Sequence, residues 1–204
     1  MSSHVSKTSS AVFESAPSTE TFVNGINVAG LVQTVEAVKD NPAIAKFRFD
    51  LQNEWIEGAH NRSVVNKFYG ALQNIERPQS FILHADEPPV LLGTDKGPNP
   101  GEYLLHALAA CITSALIFHA SAKGIVIHEV ESTVEGDADL RGFLGLDENV
   151  RKGFQNIRVN FEVNADVSDE EFDELANLGP SFSPVFDTLS KGVPIAVRAQ
   201  RKKK

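Results

Sequence analysis

The chain is nearly without cysteine: its 204 residues hold one, Cys111. No intrachain disulfide can form, so the fold needs no oxidising compartment. Basic residues are in short supply as well, 19 Lys and Arg against 27 Asp and Glu, for a formal charge of −8. That balance argues against nucleic acid as a partner, because phosphates need clustered Lys and Arg. The one basic run is the closing RKKK over 201–204, read as a solvated terminus. CxxC, HExxH, the P-loop and GxGxxG are all missing, which removes the common zinc, redox-pair, phosphate and dinucleotide signatures. Internal repeats are missing too.

The N-terminal MSSHVSKTSSAVFESAPSTE has neither a basic start nor an apolar core. An ordinary signal peptide is therefore not expected, and a disordered tail over 1–24 is. Residues 103–122 carry no Asp, Glu, Lys or Arg and are long enough to cross a bilayer. They also contain His106, Thr113, Ser114, His119 and Ser121, with no aromatic or basic anchors on both flanks. A buried central helix is the better reading, with no membrane partner and a cytoplasmic location.

What is present is ordinary for a soluble globular domain: 42% apolar and 23% charged residues. The length suits one domain with extensions. Val28, Leu31, Val32, Val35 and Val38 recur at helical spacing, with Asn27 placed to cap and Asn41-Pro42 to stop, giving a helical extension over 25–44. In AKFRFDLQNEWI, Ala45, Phe47, Phe49, Leu51 and Trp55 alternate with polar residues, predicting one strand with a buried face. EGAHN reads as a turn, RSVVNKFYGAL as the returning strand and SFILHAD as a third.

The central helix has clear ends. Asn99 can cap it, Pro100 suits the first position, Glu102 stands where a capping box wants a carboxylate, and Lys123-Gly124 closes it. It spans roughly 36 Å. Beyond it, IVIHEVESTVEG and NIRVNFEVNADV read as strands. SDEEFDELANL reads as a helix with a Ser168–Glu171 capping box, and a short helix runs from Ser183-Pro184 to Lys191-Gly192. VPIAVRA reads as a final strand. Strands gathered around helices give an α+β class.

Several candidate chemistries fall away. His84-Ala85-Asp86-Glu87 has ligand-type side chains, but neighbours on a strand face opposite ways, so no metal is expected. His106 and His119 are too far apart on the helix to act together and are read as polar groups in need of partners. Cys111 stays open. A lone cysteine is by default a small packing residue. At twelve residues beyond Asn99 it is out of reach of the helix dipole. A reactive thiol there needs a cation from elsewhere, and Arg48, Arg62 and Arg77 are the obvious sources.

GPNPGEYLLHALAACITSALIFHASAKGI resembles the signature helix of the OsmC/Ohr family, in which a cysteine follows an Asn-Pro start by twelve residues; Asn99 and Cys111 match that spacing. With the downstream NIRVNFEVNADV, SDEEFDEL and SPV in the family's order, the resemblance covers roughly 45–199, leaving 200–204 as a basic tail. It implies an OsmC-like fold, with antiparallel sheets around a long central helix in an intertwined homodimer. It further implies thiol peroxidase chemistry with no cofactor. The attacking thiol falls on Cys111, and an arginine that tunes it falls on Arg62.

Two positions depart from that pattern. The family's second, resolving cysteine is replaced by Ser183, which cannot form a disulfide and is a good helix cap ahead of Pro184. The family's glutamate is replaced by Gly101. Glu102, one residue on, lies on the opposite helix face from Cys111, some 13 Å along the axis. The expectation is a one-cysteine organic hydroperoxide reductase that relies on an external thiol. The alternative is a non-catalytic dimer that binds a small hydrophobic molecule at the subunit interface, with Cys111 as packing.

Overall fold

The structure, a computed structural model, describes residues 21–202. The tail expected over 1–24 therefore lies outside the described residues except for its last four. The chain divides into two compact units that meet in sequence at Pro100 and Gly101.

The first unit opens on a small hairpin, β1 (Phe22–Val23) and β2 (Ile26–Asn27). Its turn is Asn24-Gly25, both at positive φ, the chemistry a two-residue hairpin asks for. Asn27 then caps α1 (Val28–Asp40), its side-chain oxygen accepting the Gly30 amide at 2.9 Å. Asn41 ends α1 and starts a 3₁₀ turn, Pro42–Ala45, by accepting the Ala43 amide. Cap and stop are where the sequence places them.

An antiparallel sheet follows: β3 (Arg48–Phe49), β4 (Gln52–Glu57), β5 (His60–Gly70) and β6 (Gln73–Ala85). β5 is the hub, flanked by β3 and β4 on one side and by β6 on the other. The single strand expected over 45–56 is thus two short ones, interrupted at Asp50-Leu51 as pairing passes from one end of β5 to the other. Its apolar face is also not buried. Phe49 is 74% and Trp55 73% exposed. Phe47, Phe49 and Phe68 stack on one another with centroids 5.8–6.2 Å apart, which shields their inner sides only.

The second unit holds α2 (Pro100–Ala122), β7 (Ile127–Asp137), α3 (Leu140–Phe143), β8 (Asn156–Ala165), α4 (Asp169–Phe182) and α5 (Pro184–Lys191). α2 stops where a last-turn cation and glycine predict. The Lys123 amide returns to His119, and Gly124 takes φ +75, a value its missing Cβ permits. β7 and β8 pair antiparallel along their whole length.

Leu116, Ala120, Leu175 and Leu178 form the core of this unit, with Ile125, Ile127, Val130, Val163, Ala165 and Val167 packed against them. Leu116 and Leu175 are essentially sealed, and each such leucine contributes about 1.5–3 kcal/mol of burial. Lys123, just past the end of α2, pairs with Glu174 of α4. α2 passes the length and composition test for a membrane span, yet Leu108, Ile112, Leu116 and Ala120 form a buried stripe along it.

Three elements differ from expectation. α3 forms inside the acidic, glycine-bearing loop because Asp139 caps it, accepting the Arg141 amide at 3.0 Å. α4 runs on to Phe182, past the expected end, and carries Pro180 within it. The final strand over 193–199 does not form. Among the described residues the segment pairs with no strand, and Ile195 and Val197 are 83% and 88% exposed.

Candidate functional site

Cys111 lies midway along α2 and is half-buried. The fully buried stripe of the helix runs through Leu108, Ile112 and Leu116. Cys111 stands beside that stripe rather than in it. On its other side Ala107, Ala110, Ser114 and Phe118 are exposed; at about 100° per residue all but Ala110 fall within roughly 60° of the cysteine. The thiol therefore sits at the boundary between packed core and an uncovered, mostly small-residue stripe, and Ala107 and Ala115 one turn away leave it room.

Ser183, which the resemblance sets in place of the family's second cysteine, is 2% exposed. Its Oγ accepts the Phe186 amide at 3.1 Å and caps α5. The structural role read from the sequence is the one it plays. Glu102 is exposed in the first turn of α2. Gly101 opens the second unit. His106 is exposed, and His119 stacks on Phe182 with centroids 3.7 Å apart. Burial, then the Lys123 charge, lowers the His119 pKa below its ordinary value.

Arg62 belongs to the first unit. It lies on β5 directly between Glu54 of β4 and His84 of β6, and its guanidinium is paired with the Glu54 carboxylate. The two side chains are about half-exposed, so the pair is a modest surface interaction. Next to it, His60 Nε2 and His84 Nδ1 share a hydrogen bond at 3.0 Å with the rings stacked. His84, read with Asp86 as a set of ligand-type side chains, thus faces the His60 imidazole. Among the described residues no three His, Cys, Asp or Glu side chains gather as a metal site.

Asp86 is the residue the sequence reading undervalued. It is 1% exposed and closes the loop that leads to α2. Its carboxylate accepts the Glu87 amide at 2.8 Å, the Thr94 hydroxyl at 2.6 Å, and the amides of Thr94 and Lys96 at 3.1 and 3.2 Å. The Thr94 hydroxyl leads in holding its pKa at about 2, against the opposing effect of burial. Gly93 is obligatory in this loop, since a Cβ there would stand 1.7 Å from the Glu87 carbonyl oxygen. The available signal was an Asp followed by closely spaced Gly and Thr in a loop, the composition of a side chain that binds its own backbone.

The model of one protein family, described as OsmC-like protein, matches residues 93–198. The chain belongs to the OsmC-like family. Among solved structures, this OsmC-like chain is similar to the OsmC-like protein of Mycoplasma pneumoniae. The two are 22% identical with a TM-score of 0.52, over 70% of this chain and 87% of that one. It is also similar to the organic hydroperoxide resistance protein OsmC of Legionella pneumophila, at 16% identity and TM-score 0.46, over 69% of this chain and 89% of that one. The first likeness is one of fold, and it agrees with the mixed helix and antiparallel-sheet architecture. None of the curated proteins matches the sequence. Cys111 lies inside the family-matched region, and Arg62 lies before it.

Proposed function

We propose that this OsmC-like protein is a one-cysteine thiol peroxidase that reduces organic hydroperoxides and works as a cytoplasmic homodimer. The observation that carries the proposal is the placement of Cys111. The lone cysteine of this OsmC-like chain, matched by resemblance to the family's attacking thiol, is half-buried on α2, at the edge of the packed stripe and not sealed within it. Partial exposure is what a nucleophilic thiol needs and a packing cysteine does not.

In the first step the Cys111 thiolate attacks the terminal oxygen of the hydroperoxide. The S–O bond forms as the O–O bond breaks, the alkoxide leaves and takes a proton to become the alcohol, and the sulfur is oxidised to the sulfenic acid. Ser183 is buried and occupied as a cap, so the second half needs a thiol from outside. One external thiol condenses with the sulfenic acid, releasing water and leaving a mixed disulfide; a second attacks that disulfide and regenerates Cys111. Arg62 is the cation assigned to the thiolate by resemblance, and its ion pair with Glu54 fixes its direction on β5. Two copies are supported by the uncovered apolar surface of the single chain, Phe49 and Trp55 on the sheet and Phe118 on α2 among it.

The test is peroxide consumption with a small-molecule thiol as reductant. Cys111→Ser is expected to abolish turnover while leaving the folded state intact. Equal consumption by Cys111→Ser and the parent protein would sink the proposal. A Cys111→Ala variant silent in every redox assay, with a bulky residue at Ala107 or Ala115 blocking an apolar ligand, would point to the non-catalytic binding protein instead.

A further inference from the structure

We infer that His60 and His84 form an open two-imidazole site for a divalent transition-metal ion, of the class that takes imidazole nitrogen and keeps water ligands, such as Ni²⁺ or Cu²⁺. The inference lies outside the peroxidase reading and makes no use of Cys111.

No stretch of sequence announces the pair, because the residues next to His84 on β6 point to the other face. Its second member comes from β5. The register sets Arg62 opposite His84, and His60 lies two residues before Arg62, on the same face. The two rings therefore meet diagonally across the strands. His60 Nε2 and His84 Nδ1 stand 3.0 Å apart, with ring centroids at 5.2 Å and ring planes inclined by 29°. A metal–imidazole bond is about 2.0–2.1 Å long, so nitrogens on neighbouring positions of one ion lie about 2.9–3.4 Å apart. The spacing is already that of a ligand pair.

In the metal-free pair one ring donates its N–H to the lone pair of the other. For binding, the donating ring moves that proton to its outward nitrogen. A modest turn about each ring torsion, which is a soft one, then aims both lone pairs at one point. Both ligands stand on braced backbone. The Trp55 indole donates to the Gly58 carbonyl at 3.0 Å and pins the turn that leads into His60. Behind His84 the chain packs so closely that a Cβ on Gly97 would stand 2.1 Å from the His84 carbonyl oxygen. Ligands placed in advance bind with less ordering to do.

The neighbouring charge also suits a cation. Glu54 offsets Arg62, and Glu57 is the residue opposite His60 in register. Among the described residues no third His, Cys, Asp or Glu completes the set, so water takes the remaining positions. That favours ions with a tetragonal, partly hydrated shell over a closed tetrahedral zinc site.

The test uses the untagged full-length protein and the metal ion alone. Calorimetric titration with Ni²⁺ is expected to show one site per chain. His60→Gln and His84→Gln should each weaken it by about a hundredfold, since either change leaves one imidazole where two act together. Binding to the parent protein no tighter than to either variant, absence of binding included, would overturn the inference. A second measurement needs no substitution: diethyl pyrocarbonate labelling of the unmodified protein, read residue by residue by mass spectrometry. Ni²⁺ is expected to protect His60 and His84 together and to leave the exposed His106 and His128 labelled. Protection of one of the pair alone, of neither, or of all four alike overturns the site. Neither readout involves thiol chemistry, so loss of peroxidase activity leaves the outcome legible.

Discussion

Arg62 and Glu54 face each other across β5 and β4, guanidinium against carboxylate, on a sheet whose register places His84 on the far side of the arginine. The pair gives the arginine a fixed direction at small cost to the fold. Because both side chains are about half-exposed, Glu54→Gln is expected to lower stability by less than about 1 kcal/mol. Urea unfolding checks this, and a much larger loss would show the pair to be structural. Arg62→Ala should be equally mild, so any change it makes in thiol chemistry is not a consequence of unfolding.

Ser183→Ala removes the cap of α5 and leaves the Phe186 amide without its acceptor. It is expected to cost about 0.5–2 kcal/mol and to leave peroxide turnover unchanged, since the serine has no part in the proposed one-cysteine cycle. Parallel urea and turnover measurements separate the two. A large fall in turnover at unchanged stability would place Ser183 in the chemistry.

Asp86 makes the loop before α2 dependent on an ionised carboxylate. Its folded pKa, about 2, lies below the unfolded value near 3.9. The stabilisation is therefore fully present above the unfolded value and lost as pH falls through about 2. Asp86→Asn should lower the unfolding midpoint at pH 7, with the difference from the parent protein shrinking as pH falls below 4. A difference independent of pH over that range would contradict the assignment.

His119 works in the same direction at higher pH. Its folded pKa is depressed by burial against Phe182, so the unfolded chain binds the proton more readily. Stability is fully present above the unfolded value near 6.5 and falls as pH drops below it. Urea midpoints between pH 7.5 and 5.5 should fall for the parent protein and fall less for His119→Gln. Equal slopes would remove His119 from the effect.

Local features of this fold were legible in the sequence wherever a single segment determines them. Asn27, Ser183 and Gly124 each act at a helix end through bonds or backbone angles only a few residues long, and all three are where the sequence places them. The spacing of Asn99 and Cys111 similarly marked the signature helix. What depends on a second segment was not legible. Alternation in 45–56 and 193–199 shows that a segment can be a strand, but not which edge accepts it. The first is split by the register of β5, and the second finds no partner strand among the described residues. The Arg62–Glu54 pairing and the Asp86 loop arise the same way, from register and from backbone amides that no side-chain pattern reports.

The central claim is that Cys111 is an activated thiol, and the most direct measurement is the pH dependence of its alkylation in the folded protein, repeated in Arg62→Ala. Alkylation should persist well below the ordinary thiol value of about 8.5, and should need a higher pH once the arginine is gone. Protection at every pH until the protein unfolds would show Cys111 to be a packing residue, and the peroxidase reading would give way to a binding role.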